Sequence, residues 1–270
     1  MDKVDTYCRR ILALIEEEDC KTTSHAIVRR LNFSGNNFDA RLIRRAIRRL
    51  INKGALVYSY QFGSSYIEPS FERPVRVSRK IVIKPPTIAY VNRSGEVVID
   101  ILKGDAFGYG NHPTTRLSLK IMEGVIESLL SAGYPLKTAW DVGTGSGILS
   151  IAAVKLGVQW VLASDTDPCA RFEAQRNVEL NGLVDRIEVA ANRLPRLQHE
   201  FSLIMANLRS PTVVALGETF YNALMRNCYL VVSGMRADEV ETLAVDLAVF
   251  GFTAKRVAFE KGWAGIAFLK

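Results

Sequence analysis

Thr138-Ala139-Trp140-Asp141-Val142-Gly143-Thr144-Gly145-Ser146-Gly147-Ile148 is the stretch that decides the fold. Residues 138–142 form an apolar run of strand length, and 148–156 a helix-length apolar stretch, with glycine at every second position between them. Glycine accepts positive φ and lets a ligand approach the backbone closely. The helix start beyond the turn presents unpaired N–H groups and a partial positive charge. A strand, a tight turn and a helix in this order suit a nucleotide or a carboxylate.

Working outward, helical and strand periods alternate on both sides. A helix over 116–132 precedes the turn. Strands are expected at 160–165, 186–191, 202–206 and 229–233, with helices over 169–181, 213–225 and 238–250. The last two strands, 253–260 and 265–269, are too close for a crossover helix and read as an antiparallel pair closing a parallel sheet. The fold class is therefore α/β, Rossmann-like, with a C-terminal antiparallel strand.

Acids flank the loop. Asp141 precedes it, and Asp165 ends the next strand 22 residues after Gly143, where a carboxylate can accept from two ribose hydroxyls. Dinucleotide enzymes space their glycines G-x-G-x-x-G, whereas the third glycine here arrives one residue early. Acid, G-x-G-x-G and strand-end acid together resemble the class I S-adenosylmethionine methyltransferases. Asp165 also reads as a helix cap, although Asp167 fits a cap better because Pro168 follows it.

A second motif narrows the resemblance. Ala106-Phe107-Gly108-Tyr109-Gly110-Asn111-His112-Pro113-Thr114-Thr115 resembles the A-F-G-T-G-x-H-P-T-T signature of the ribosomal protein L11 methyltransferase family. Gly147-Ile148-Leu149-Ser150, Asp165-Thr166-Asp167-Pro168, Ala206-Asn207-Leu208, Ser233-Gly234-Met235 and Gly262-Trp263 follow in family order. The resemblance covers about residues 80–270. It implies S-adenosylmethionine as cofactor and methyl transfer to amines of a protein substrate, with a ribosomal protein among the candidates.

Residue by residue, the resemblance places Phe107 and Thr115 beside the cofactor, Gly143 at its methionine portion, Asp165 at its ribose and Asn207 at the transfer site. Asp141, Gly145 and Gly147 complete the loop. Asn192 aligns loosely with an adenine-side position and reads equally as a polar strand end. His112 reads either as a proton acceptor or as a residue that fixes its loop. Asn207-Leu208-Arg209-Ser210 stands where adenine-N6 methylases carry N-P-P-Y/F, which argues against a flipped adenine as target.

The chain has 270 residues, with 48% hydrophobic and 23% charged, which excludes disorder as the default and leaves room for more than one domain. The start, Met1-Asp2-Lys3-Val4-Asp5, lacks the basic and apolar regions of a signal peptide, and a cytoplasmic setting is expected. Four scattered cysteines and three histidines show no metal-ligand spacing.

The charge of +7 is concentrated. Residues 20–60 carry nine basic side chains and one acid, a local +8. Helices are expected over 4–18, from 24, and over 39–53, followed by strands at 55–60 and 66–68, an order resembling a winged helix. Arg41, Arg44, Arg45, Arg48 and Arg49 lie in the recognition-helix position, so nucleic acid is an expected partner and an RNA or DNA substrate the alternative to protein. The expected domains are a winged-helix-like 1–72, a β-rich connector 73–104 and a class I methyltransferase domain 105–270.

Overall fold

Apolar residues spaced three and four apart turn the first three helices inward on one another. In the computed structural model these are α1 (Lys3–Glu17), α2 (Ser24–Phe33) and α3 (Ala40–Asn52). Ile11, Ile27, Ile43, Ala46 and Ile47 meet in one core, which also takes Leu56 and Ile67 from the hairpin after α3. That hairpin pairs β1 (Leu56–Gln61) with β2 (Ser64–Pro69) antiparallel, and Thr22 bridges to Ile67. Asp39 caps α3, accepting from the Arg41 N–H at 2.7 Å. The structure describes residues 3–17, 22–33, 38–61, 64–70, 73–102, 104, 108, 110, 112–191 and 201–270.

The chain divides into two compact units, Met1–Arg73 and Pro74–Lys270. The second begins with a three-stranded sheet in which β4 (Ile81–Lys84) pairs antiparallel with β3 (Val75–Arg76) and parallel with β5 (Val97–Asp100). Val77, Ile81, Ile83, Ile99 and Ile101 from this segment enter the same core as the later helices of that unit. The stretch expected as a connector thus contributes directly to the core of the second unit.

Next come α4 (Pro113–Ser131), β6 (Thr138–Val142), α5 (Ile148–Lys155), β7 (Trp160–Asp165), α6 (Pro168–Leu180), β8 (Ile187–Ala191) and β9 (Phe201–Asn207). After these follow α7 (Ser210–Ala215), α8 (Gly217–Ala223), β10 (Leu224–Arg236), α9 (Val240–Ala248), β11 (Thr253–Glu260) and β12 (Trp263–Leu269). Seven strands form one sheet in the order β11-β12-β10-β9-β6-β7-β8, with β12 antiparallel to both neighbours and the rest parallel.

A sheet covered on both faces needs apolar side chains in both alternations. Ala139, Leu203, Met205, Val161 and Ala163 face one core with Ile121, Val125 and Ile151. Trp140, Val142, Ile204, Leu230, Val232 and Ile266 face the other with Phe220, Leu243 and Leu247. Trp140 is fully buried against Phe201 and Phe220, and its indole N–H reaches Ser164 Oγ at 2.8 Å, so its one polar atom is satisfied.

Among the differences from the sequence expectation, two have a clear local cause. α4 starts three residues before 116 because His112 caps it and Pro113 fits the first helical turn. The helix expected over 213–225 is two short helices meeting at Leu216 and Gly217, and β10 begins at once at Leu224. The apolar spacing continues across the break, so periodicity alone joins what the glycine divides. Among the described residues no helix is long and apolar enough to cross a membrane.

Candidate functional site

The chain runs from β6 outward through β7 to β8, then returns to lay β9 on the other side of β6. Such a reversal opens a crevice at the carboxyl ends of the strands, the place where open α/β sheets bind ligands. Register makes the neighbours explicit. Val142 pairs with Ser164 on one side and Ala206 on the other, so Gly143, Asp165 and Asn207 are the next residues on three adjacent strand ends.

The loop after β6 is held by backbone geometry. Gly143, Gly145 and Gly147 have φ of +72°, +54° and +81°. The Gly143 and Thr144 amides both donate to Ser164 O, at 2.8 and 3.0 Å. A Cβ on Gly143 would stand 2.6 Å from Leu208 Cδ2, and one on Gly147 3.3 Å from the Ala174 backbone. Gly147 is also the N-cap of α5 and supplies no side-chain hydrogen bond to that helix end.

Asp165 joins the loop to the next strand end. Its Oδ2 accepts from the Gly145 N–H at 2.9 Å and its Oδ1 from the Asp167 N–H at 3.0 Å. Asp167, not Asp165, caps α6, accepting from the Cys169 N–H at 2.9 Å. Each oxygen of Asp165 keeps a second lone pair for a hydroxyl.

Asp141 lies beneath the loop and is fully buried. Its Oδ2 accepts from Thr144 Oγ1 at 2.7 Å, Ser150 Oγ at 2.7 Å and the Ser150 N–H at 3.1 Å. Burial pushes its carboxyl up to about 6 against the pull of the three donors, and the charge of Asp165 adds to the rise. Its Oδ1 is buried with no hydrogen-bond partner among the described residues, and so is Thr115 Oγ1.

Asn207 is oriented by hydroxyls. Ser233 Oγ donates to Asn207 Oδ1 at 3.0 Å, and Ser118 Oγ shares a hydrogen bond with Ser233 Oγ. Both serines are buried. Thr115 lies one helical turn before Ser118, on the same face of α4. At Gly234 (φ +95°) β10 is irregular, and a Cβ there would sit 2.5 Å from Leu208 O, so the backbone beside Asn207 requires glycine.

His112 serves as the cap of α4, its Nδ1 accepting from the Thr114 N–H at 3.3 Å and lying 2.8 Å from Thr114 Oγ1. Its ring meets Trp263 edge-on at 5.0 Å, with the Arg236 guanidinium 4.9 Å from the same indole. Ser146 Oγ donates to Gly108 O at 2.9 Å, tying the Gly108 segment to the glycine loop. Asn177 donates to Ser146 O and accepts from the Leu102 N–H, both at 2.9 Å. Phe107 and Asn192, expected at the cofactor, lie outside the described residues.

Thus Gly143, Gly145, Gly147, Asp141, Asp165 and Asn207 share one end of one sheet. Arg41, Arg44, Arg45, Arg48 and Arg49 belong to the other unit, the first four exposed on α3 and Arg49 ion-paired with Asp5 at 3.3 Å. Sequence reasoning missed Ser118 and Asn177. Ser146, Ser150, Ser233 and Trp263 were visible only as motif positions, because a serine carries no mark of what its hydroxyl meets.

The sequence model of the ribosomal protein L11 methyltransferase (PrmA) family matches residues 69–270. A protein named ribosomal protein L11 methyltransferase from Geobacter sp. (strain M21) is 37% identical over 168 residues, 62% of this chain and 54% of its own. One of the same name from Streptococcus pyogenes serotype M6 is 34% identical over 201 residues, 74% of this chain and 61% of its own. The chain therefore spans a little over half the length of these relatives. The crystal structure of a ribosomal protein L11 methylase from Lactobacillus delbrueckii subsp. bulgaricus superposes with a TM-score of 0.64 at 30% identity, covering 73% of this chain and 98% of that one. The human methyltransferase 10 domain containing protein, 17% identical with a TM-score of 0.50, shares the fold.

Proposed function

The chain belongs to the ribosomal protein L11 methyltransferase family, and from this we propose that it is an S-adenosylmethionine-dependent methyltransferase acting on amines of a protein substrate. The substrate class proposed is a ribosomal protein, and the setting the cytoplasm. The observation that carries the reading is the meeting of the glycine loop, Asp165 and Asn207 at the sheet's switch point, beside two buried oxygens that lack partners among the described residues. The donor set fits the cofactor: positive-φ glycines for close approach, a carboxylate for diol hydroxyls, and acceptors for a cationic amino group.

The cofactor supplies a methyl group carried on a sulfonium. Gly143 and Gly145 allow its methionine part to lie against the backbone, with Asp141 Oδ1 and Thr115 Oγ1 as the acceptors awaiting a donor. Asp165 receives the ribose hydroxyls. Phe107 and Asn192 are proposed at the cofactor from the family resemblance alone.

In-line methyl transfer asks the protein to position the acceptor and exclude water. A lysine amine must first lose a proton, which desolvation favours by lowering its pKa. Ser233 fixes the plane of the Asn207 amide, and the second lone pair of Oδ1 then accepts an N–H of the amine and aims the nitrogen lone pair. His112 is assigned the capping role, since its Nδ1 is committed to Thr114.

The test is transfer of labelled methyl from S-adenosylmethionine into an extract, followed by protease or nuclease. Label lost with protease supports a protein acceptor. Label lost with nuclease alone assigns RNA or DNA instead, and binding without transfer makes the chain a sensor of the cofactor.

Ser233→Ala gives a second expected outcome. Removing one hydrogen bond from Asn207 should lower kcat about tenfold, equivalent to ~1.4 kcal/mol, with the cofactor KM unchanged. Equal loss in both parameters would show that Ser233 supports the fold and not the orientation of Asn207.

A further inference from the structure

The methyl-transfer reading uses nothing from α3. Arg41, Arg44, Arg45 and Arg48 are all exposed on that helix. At 100° per residue, spacings of three, one and three bring them into one stripe, diametrically opposite the buried Ile43, Ala46, Ile47 and Leu50. The stripe is about 10 Å long at 1.5 Å per residue.

The electrostatics of this stripe are uncompensated. α3 contains no acidic residue, and none of these four arginines has an ion-pair partner among the described residues. Neighbours at i+3 and i+4 of like charge repel, so the helix holds four guanidinium groups together against their own field. Arg49, one step round the helix, shows the relief that an acid gives, since Asp5 pairs with it from α1.

A face kept charged only for solubility mixes signs and uses lysine freely. Every cation on this one is arginine, whose planar fork matches phosphate oxygens bidentately. No apolar side chain interrupts the stripe, whereas protein interfaces centre on buried aromatic or aliphatic anchors. We propose that α3 is a docking surface for the phosphate backbone of double-helical nucleic acid, and that nucleic acid is a binding partner of this protein in addition to its methyl acceptor. The inference stands on residues of the first unit and does not depend on which molecule is methylated.

The test uses the full chain and fluorescence anisotropy with labelled duplexes of about 20 base pairs, one of DNA and one of RNA, across roughly 50 to 300 mM KCl. Four phosphate contacts predict a slope of log K against log salt of about −3 to −4 for duplex DNA. The variant R41Q/R44Q/R45Q/R48Q should flatten that slope toward zero and weaken binding at the lowest salt by roughly tenfold or more. R226Q, an exposed arginine in the second unit, should leave the slope unchanged. If the quadruple variant loses its fold by circular dichroism, the pairs R41Q/R45Q and R44Q/R48Q should each remove about half of the slope. Stronger binding of one duplex identifies the source of the phosphates, and either result supports the proposal. An unchanged slope in the arginine variants overturns it, as does salt-sensitive capture of poly-glutamate with no binding to either duplex.

Discussion

Replacing Asp165 with alanine should weaken S-adenosylmethionine binding by about a hundredfold, the loss of two charge-assisted hydrogen bonds at ~1.5 kcal/mol each. The carboxylate has two tasks at once. It holds the Gly145 and Asp167 amides, which sets the path of the backbone on either side of the crevice, and in the proposed site its remaining lone pairs would accept from the ribose. Alanine removes both, leaving two backbone donors to water. Asp165→Asn keeps one acceptor oxygen and should fall between the two. Isothermal titration with S-adenosylmethionine or S-adenosylhomocysteine reads the effect directly. Binding by the alanine variant within about threefold of the parent protein would remove Asp165 from the site.

Asp141→Asn should make the protein more stable above pH 6 and no different near pH 4. The folded carboxyl titrates near 6 in place of 3.8, chiefly because burial penalises its charge. Between those values the folded state binds more protons than the unfolded chain, so stability falls as pH rises. The contribution is complete below about pH 4 and gone above about pH 6, a difference of roughly 3 kcal/mol. Asparagine reproduces the protonated form without the titration. The gap between the two thermal midpoints should therefore open from near zero at pH 4 to roughly 6–12 °C at pH 7, for a unit of this size. Parallel melting curves across that range would show that Asp141 carries no such penalty. The same variant should bind the cofactor less well, since Oδ1 loses the charge proposed to meet a cationic amino group.

Both aspartates are legible in the sequence because the signals that mark them are local. Asp141 is the next-to-last residue of β6 and Asp165 the last of β7, both short, mostly apolar runs of five and six residues, and the glycines that follow Asp141 have few other uses at that spacing. The order of strands could be inferred only in outline, since β6 and β9 lie side by side with β7 and β8 intervening in sequence. The orientation of Asn207 was not legible at all. It rests on a hydroxyl chain in which Ser118 and Ser233 stand 115 positions apart, and nothing in either neighbourhood announces the other. Likewise Leu216 and Gly217 continue an apolar pattern that reads as one helix, while the backbone breaks it into two. Residues 73–104, with their prolines and turn residues, read as a β-rich connector, yet Val77, Ile81, Ile83, Ile99 and Ile101 go into a core assembled mostly from residues beyond 116.

That last feature bears on how such a chain can be recombined. The family match opens at residue 69 and the fold divides between Arg73 and Pro74, so the seam in ancestry and the seam in packing fall within five residues of each other. A leading module can be exchanged for a different one at this seam without opening the interior of the second unit. A splice at residue 104 would instead strip Val77, Ile81, Ile83, Ile99 and Ile101 from beneath α4 and α5 and leave the second unit with an open flank. Relatives built by shuffling should share the small sheet and differ only ahead of it, and chimaeras made in the laboratory should be joined at the same place.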